Sequence, residues 1–290
     1  MLIRKIDGSN LGEAISFVVR LNQDLTHKIS YLGETEPEIR DDFSALQPPE
    51  GYGFVAINDQ EQAIGLFGIE IDLELRRSWL IGPLVDHPDW NITSDQLYDA
   101  ILDSLPPEIA DQEIYCHLQN SRVQEFALRH GFTVHAEGAV LVLDVAQRKR
   151  KMTFDSVEFD EEYSPQLAAL HADLFPNTYY SAEQLINLSE EDDKYLLIHL
   201  IDGKLVGYIF VQARPASRDG YIDFVGVEQS FRRKGIGRGL VAQAVDWAVE
   251  KTFVENITLT VNTDNKSAMQ MYHSLGFITE TVSRAYRKRA

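Results

Sequence analysis

With 290 residues, 44% hydrophobic and 25% charged, the chain has the length for two domains with separate cores and the composition of an ordinary globular protein in water. Its net charge of −18 argues against a nucleic-acid partner and favours cationic ones, although solubility alone accounts for an acidic surface. A single cysteine, Cys116, excludes an internal disulfide framework and any multi-cysteine metal site; the first residues lack a signal-peptide core and no apolar run reaches the roughly 18 residues of a membrane span, so a cytoplasmic protein with no membrane partner is expected.

In chain order, the first half reads as strand 2–6, helix 11–23, helix 35–45, strands 52–58, 62–72 and 77–85, helix 94–104, strand 112–118, helix 121–130 and strand 132–144. The basic polar run Ala146-Gln147-Arg148-Lys149-Arg150-Lys151 then marks a boundary, dividing the chain into domains 1–146 and 147–290. The second half reads as strand 152–158, helices 164–173 and 181–189, strands 194–201, 204–213 and 219–228, helix 236–251, strand 256–262, helix 265–275 and strand 277–287. The order of elements is the same in both halves. Each is a mixed α/β fold, an antiparallel meander feeding a strand–helix–strand unit. Asp59-Gln60 and Asp202-Gly203 stand at matching hairpin turns.

An internal duplication accounts for this. Asn265 to Gly276, followed by Phe277, has the spacing of Asn120 to Gly131, followed by Phe132. Each segment reads as a helix with an Asn cap, an apolar stripe (Ala268, Met271, Tyr272, Leu275; Val123, Phe126, Ala127) and a glycine stop. At nearly the same offset, Asp223-Phe-Val-Gly226-Val227 aligns with Trp79-Leu-Ile-Gly82-Pro83.

Chemistry concentrates after the strand ending near Val227. There Arg232-Arg233-Lys234-Gly235-Ile236-Gly237-Arg238-Gly239 leads into an amphipathic helix bearing Ile236, Leu240, Ala244, Trp247 and Ala248 on one face. Glycines let helix-start amides approach a ligand, the helix end attracts anions, and four cations add charge-assisted bonds, which suits a pyrophosphate. On composition alone, a glycine-rich turn with a solvated basic edge is the favoured reading. A dinucleotide fingerprint would need glycine at Leu240, and a P-loop would need Gly-Lys-Ser/Thr. The matching loop of the first half, residues 85–95, has neither glycine nor cation; it carries Asp86, Asp89 and Asp95, and Ala127 stands where the second half has Tyr272. His87-Pro-Asp89 reads as a surface turn, and no metal site is expected.

The run Arg232-x-x-Gly235-x-Gly237 and the downstream Asn265-x-x-Ala268-x-x-x-Tyr272-x-x-x-Gly276-Phe277 resemble the two signatures of the GNAT acyltransferase superfamily, in the right order. The resemblance covers residues 152–288 and implies two tandem GNAT-like acyl-CoA N-acyltransferase domains, the first degenerate. It implies acetyl-CoA as acyl donor and no metal. Backbone groups of Val225 and Val227 would hold the pantetheine arm and acetyl carbonyl. Arg232, Arg233, Lys234, Gly235, Ile236, Gly237 and Arg238 would cradle the pyrophosphate, and Asn265, with Ala268 beside it, would meet the cofactor arm. Tyr272 would donate a proton to the departing thiolate, or at least hydrogen-bond to its sulfur. The attacking amine must be neutral, and Asp223, on the strand face of Tyr221, is the candidate base. His273 is expected to point away from the site, and His171 and His199 to serve in packing or at the surface.

The function so implied is N-acetylation of the primary amine of a small molecule by direct attack. Acetylation of a protein or peptide, to which the acidic surface is suited, and non-catalytic acyl-CoA sensing are the alternatives. A monomer or homodimer is expected, since duplication can replace the usual pairing of subunits.

Overall fold

The computed structural model describes residues 1–44, 51–148, 154–176, 178–214 and 218–289. They fall into two compact units: Met1–Gly138 with Val282–Ala290, and Ala139–Thr281. Lys149, Arg150 and Lys151 of the basic run lie outside the described residues.

The first unit contains β1 (Leu2–Lys5), α1 (Leu11–Asn22), α2 (Glu36–Ser44), β2 (Gly51–Ile57), β3 (Ala63–Asp72), β4 (Arg77–Val85), α3 (Trp90–Ser104), β5 (Asp111–His117) and α4 (Ser121–Arg129). It also holds the start of β6 (Thr133–Asp144). The second unit holds residues 139–144 of β6, then β7 (Val157–Glu158), α5 (Ser164–Leu174), α6 (Ala182–Leu188), β8 (Lys194–Ile201), β9 (Lys204–Arg214), β10 (Asp219–Val227), α7 (Ile236–Thr252), β11 (Asn256–Asn262) and α8 (Lys266–Leu275). The last strand, β12 (Ile278–Arg289), gives its residues from Val282 onward to the first unit.

Strand order in the first unit is β1-β2-β3-β4-β5-β12; in the second it is β7-β8-β9-β10-β11-β6. Both run antiparallel through the meander and contain one parallel pair, β4 with β5 and β10 with β11. The alternating burial of β10, inside at every second residue, is the period-two pattern of a strand with unlike faces. Asp202 and Gly203 both take positive φ (51° and 76°), the geometry of a tight hairpin turn. Asn120 and Asn265 cap α4 and α8, accepting from Val123 and Ala268 backbone amides at 3.2 Å each.

Two elements differ from expectation. Helix α3 starts at Trp90, four residues before the expected 94, because its buried face includes Thr93 and Ser94; polar residues on that face hid the apolar period. The expected strand 152–158 shrinks to Val157–Glu158, with Met152 and Thr153 outside the described residues. Just before it the chain turns to α7 instead. The Ser156 carbonyl accepts from Gln243 at 3.2 Å, and the Phe154 ring covers Gly239, where a Cβ would collide with it.

The first core is built around Phe67, Tyr98 and Phe126, with ring centroids 5.4–5.8 Å apart. The second gathers Leu185, Ile198, Tyr208 and Phe210. The C-terminal part of β12 is fastened to the first unit by charge as well as by its ladder. Glu113 on β5, with its side chain 9% exposed, accepts from Arg287 at 2.7 Å, Arg77 at 2.6 Å and Tyr31 at 2.6 Å. Burial alone would raise its carboxyl pKa, but the Tyr31 and Arg287 hydrogen bonds and the two guanidinium charges outweigh it and hold the pKa below the usual range.

Candidate active site

Parallel strands β10 and β11 pair only from Asp219↔Asn256 to Ile222↔Leu259. Beyond that, β10 keeps its partner β9 as far as Val227↔Gly207, while β11 diverges. A cleft of about 700 Å³ opens in the fork. Its β10 side is Val225, Gly226 and Val227; its β11 side is Thr260, Val261 and Asn262. The Glu228 amide donates to Val206 at 2.9 Å, so by strand alternation the amides of Gly226 and Phe224 also face β9. Those of Val225 and Val227 face the fork. Consistent with this, the Val227 carbonyl is reached from the other side by Arg232 Nε at 2.9 Å.

At the wide end of the fork stands the start of α7. Gly235 caps it with φ of 87°, a left-handed conformation that glycine adopts without strain. No side chain caps the helix and no acid lies in its first turn, so its leading amides have no side-chain acceptor. Arg232, Arg233 and Arg238 line the cleft here. Arg233, Lys234 and Arg238 are exposed and form no ion pair among the described residues. Lys234 does not line the cleft; its ammonium lies 4.7 Å from the Phe231 ring centre. In a chain of net charge −18, cations without acids beside uncapped amides make a site for a polyanion.

Helix α8 forms the remaining wall with Asn265, Ala268, Met271 and Tyr272. Asn265 Oδ1 is taken by the cap, so any bond from this side chain to a ligand must come from Nδ2. Tyr272 is 5% exposed, packs edge-on to Phe277 at 5.7 Å, and its hydroxyl has no partner among the described residues. Burial raises its pKa above the ordinary tyrosine value, keeping the proton on oxygen.

Asp223 lines the narrow end, at a register shift between Ile222 and Phe224. Its carboxylate accepts from Tyr179 at 3.1 Å and Gln212 at 3.0 Å. Burial raises its pKa, against the lowering effect of these two bonds and of Arg214. Every candidate site residue except Lys234 therefore lines one cleft. Sequence reasoning missed Gln212, although strand pairing places it opposite Tyr221, and it missed Leu174, Phe231 and Ser267, which no motif marks. His171 is buried, with Nδ1 2.5 Å from the Tyr208 hydroxyl and Nε2 2.8 Å from the Tyr180 carbonyl; His199 stacks on Phe154. His273 Nδ1 meets the Phe277 carbonyl at 3.0 Å and does not line the cleft.

The first unit has the same fork, since β4 and β5 pair from Arg77↔Asp111 to Leu80↔Ile114 and then part. Here it is filled. Residues 28–30 take the edge of β5 that β4 leaves: Ser30 donates to Tyr115, His117 donates to Lys28, and Ile29 bridges Cys116. Asn22 holds this segment in place, accepting from the Ile29 amide at 2.7 Å and donating to Gly33 at 3.0 Å. The helix start that matches α7 carries a buried Trp90, while Asp86 and Asp95 pair with Arg20 and Arg129. Among the described residues no cluster of His, Cys, Asp and Glu could hold a metal ion, and no helix is long and apolar enough to cross a membrane.

Residues 158–277 match the acetyltransferase (GNAT) family model. The chain is 38% identical over 63 residues to N-alpha-acetyltransferase 30 of Xenopus laevis, covering 22% of this chain and 23% of that one. It is 29% identical over 99 residues to the [ribosomal protein bS18]-alanine N-acetyltransferase of Escherichia coli K12, covering 34% and 65%. The chain thus spans about a quarter and about two thirds of these curated relatives. A GCN5-related N-acetyltransferase from Sphaerobacter thermophilus superposes with a TM-score of 0.74 at 14% identity, over 99% of this chain and 95% of that one. A tandem GNAT protein from the clavulanic acid biosynthesis pathway superposes with a TM-score of 0.67 at 14% identity, over 99% and 98%. At such identities the superpositions establish the fold: two GNAT-like domains in tandem.

Proposed function

We propose that this chain, which carries a GNAT-family acetyltransferase domain over residues 158–277, transfers an acetyl group from acetyl-CoA to the primary amine of a small molecule. The observation that carries this is the fork between β10 and β11, which brings free strand amides, an uncapped cationic helix start and Tyr272 into one cleft. Arg232, Arg233 and Arg238 with the first amides of α7 hold the pyrophosphate. The amides of Val225 and Val227 bond the pantetheine arm and polarise the thioester carbonyl. The amine nitrogen, made neutral by proton loss toward Asp223 directly or through water, attacks that carbonyl. The C–S bond then breaks, Tyr272 supplies the proton that turns the leaving thiolate into free CoA thiol, and the extra proton left on the acylated nitrogen departs through water, restoring the tyrosine hydroxyl and leaving a neutral amide.

A second reading is the α-amino group of a polypeptide as acceptor. It is supported by the named activities of the two relatives above and by the chain's acidity. Turnover of peptides against a panel of small amines separates the two.

Calorimetric titration with acetyl-CoA should give one site per chain, in the second unit. Two sites would show that residues 28–30 do not close the first fork, and absence of binding would remove the enzymatic reading. A further expectation concerns pH. Because burial raises the pKa of Asp223, the ionised base is lost as pH falls through that raised value, and kcat/KM for the amine should fall with it. Asp223→Asn should lower kcat/KM by about 10²-fold and abolish this acid limb; an unchanged pH profile would take the base role from Asp223.

A further inference from the structure

Gly226 lies between the two residues whose amides face the fork, and its missing side chain would point at the end of α5. A Cβ there would stand 2.7 Å from Leu174 Cδ1, 2.9 Å from Tyr208 Cε1 and 3.4 Å from Phe175 Cε2. The gap between the β10 backbone and this wall is therefore too small for even one added methyl group.

The aromatic part of this wall is held by further contacts. Tyr208 is fully buried, and its hydroxyl is 2.5 Å from His171 Nδ1. His171 Nε2 faces the Tyr180 carbonyl at 2.8 Å, which assigns the proton to Nε2 and leaves Nδ1 to accept from Tyr208. The Phe175 ring packs on Phe224 at 5.1 Å and on His171 at 5.6 Å. Leu174 and Phe175 both line the cleft next to Val225 and Gly226. An acyl group whose carbonyl accepts from the Val225 amide lies beside them, and a longer chain would have to push this pinned aromatic cluster aside.

We infer that Leu174 and Phe175 set the acyl-chain selectivity of the site, admitting acetyl and rejecting longer acyl groups. The inference rests on the acyl-CoA reading of the same cleft. Its physical basis is steric: an added methylene that an apolar wall does or does not accommodate changes discrimination by about 10–200-fold.

The test is binding, which needs no knowledge of the acceptor. CoA, acetyl-CoA, propionyl-CoA and butyryl-CoA are titrated into the full chain and into its Leu174→Ala and Leu174→Val variants, with thermal melts as the check on folding. In the unaltered chain butyryl-CoA should bind at least about tenfold more weakly than acetyl-CoA. In Leu174→Ala that ratio should shrink about tenfold, with Leu174→Val between. Equal affinities in the unaltered chain, or a ratio unmoved in folded variants, overturns the inference while leaving the donor site intact. Failure of CoA itself to bind overturns both the inference and the reading beneath it.

Discussion

Tyr272→Phe should lower kcat by about 10²–10⁴-fold while leaving the affinity for acetyl-CoA unchanged within about twofold. The hydroxyl has no partner among the described residues, so no hydrogen bond of the fold depends on it. Phenylalanine keeps the edge-on packing against Phe277 and the burial of the ring. What is lost is a proton held beside the developing thiolate. A thiol has a pKa of about 8.5 and tyrosine about 10, so transfer to the nascent thiolate is close to balanced in water. Burial raises the pKa of Tyr272, which by itself weakens it as an acid, but the same desolvation disfavours the thiolate anion beside it and so preserves the drive for the transfer. Stopped-flow or steady-state rates with a reactive amine, alongside calorimetry, separate the two effects. A rate unaffected by the substitution would move the chain toward a sensor that binds acyl-CoA without turnover.

Glu113→Ala should cost the first unit about 3–5 kcal/mol, the range found when one partner of a buried ion pair is removed. The substitution strands Arg77 and Arg287, whose side chains are 25% and 15% exposed, and leaves the Tyr31 hydroxyl without its acceptor. At about 2–4 °C per kcal/mol for a domain of this size, the melting temperature should drop by roughly 6–20 °C. Because the folded pKa of Glu113 is depressed, its contribution is present above the unfolded carboxylate pKa and fades as pH falls through the folded value. The difference between variant and parent should therefore narrow in acid. Urea unfolding at neutral and acid pH measures it; a loss below about 1 kcal/mol would mean that solvent screens the cluster as it does a surface pair.

Much of this was legible beforehand, for a local reason. Helix caps, glycine stops and period-two strands are written within a dozen residues, so Asn120, Asn265 and the meanders could be read directly. The residues from Arg232 to Arg238, together with Asn265, Ala268 and Tyr272, are picked out by two short motifs, which the fold, Lys234 apart, brings to one cleft. What escaped depends on contacts remote in sequence. Nothing near residues 28–30 announces that they lie along β5 and fill a fork, since the pairing is made by backbone groups that any residue carries. Nothing within residues 282–289 says that Ser283 pairs with His117 and Arg289 with Asp111. Tyr179 and Gln212 meet at Asp223 from separate elements, and that residue stands at the register shift in β10, which no local pattern announces.

The membership of Val282–Ala290 in the first unit has a consequence for biosynthesis. The ribosome makes β1 to β5 early, yet one edge of β5 waits for a strand whose first paired residue is Ser283. Synthesis at about 5–20 residues per second puts many seconds between β5 and its neighbour. During that time the growing chain displays an unpaired edge, Glu113 without Arg287, and part of an open core. The unit translated first is thus completed last. A premature stop anywhere before codon 283 would leave this early-made half without its closing strand, even where every residue lining the cleft had already been translated.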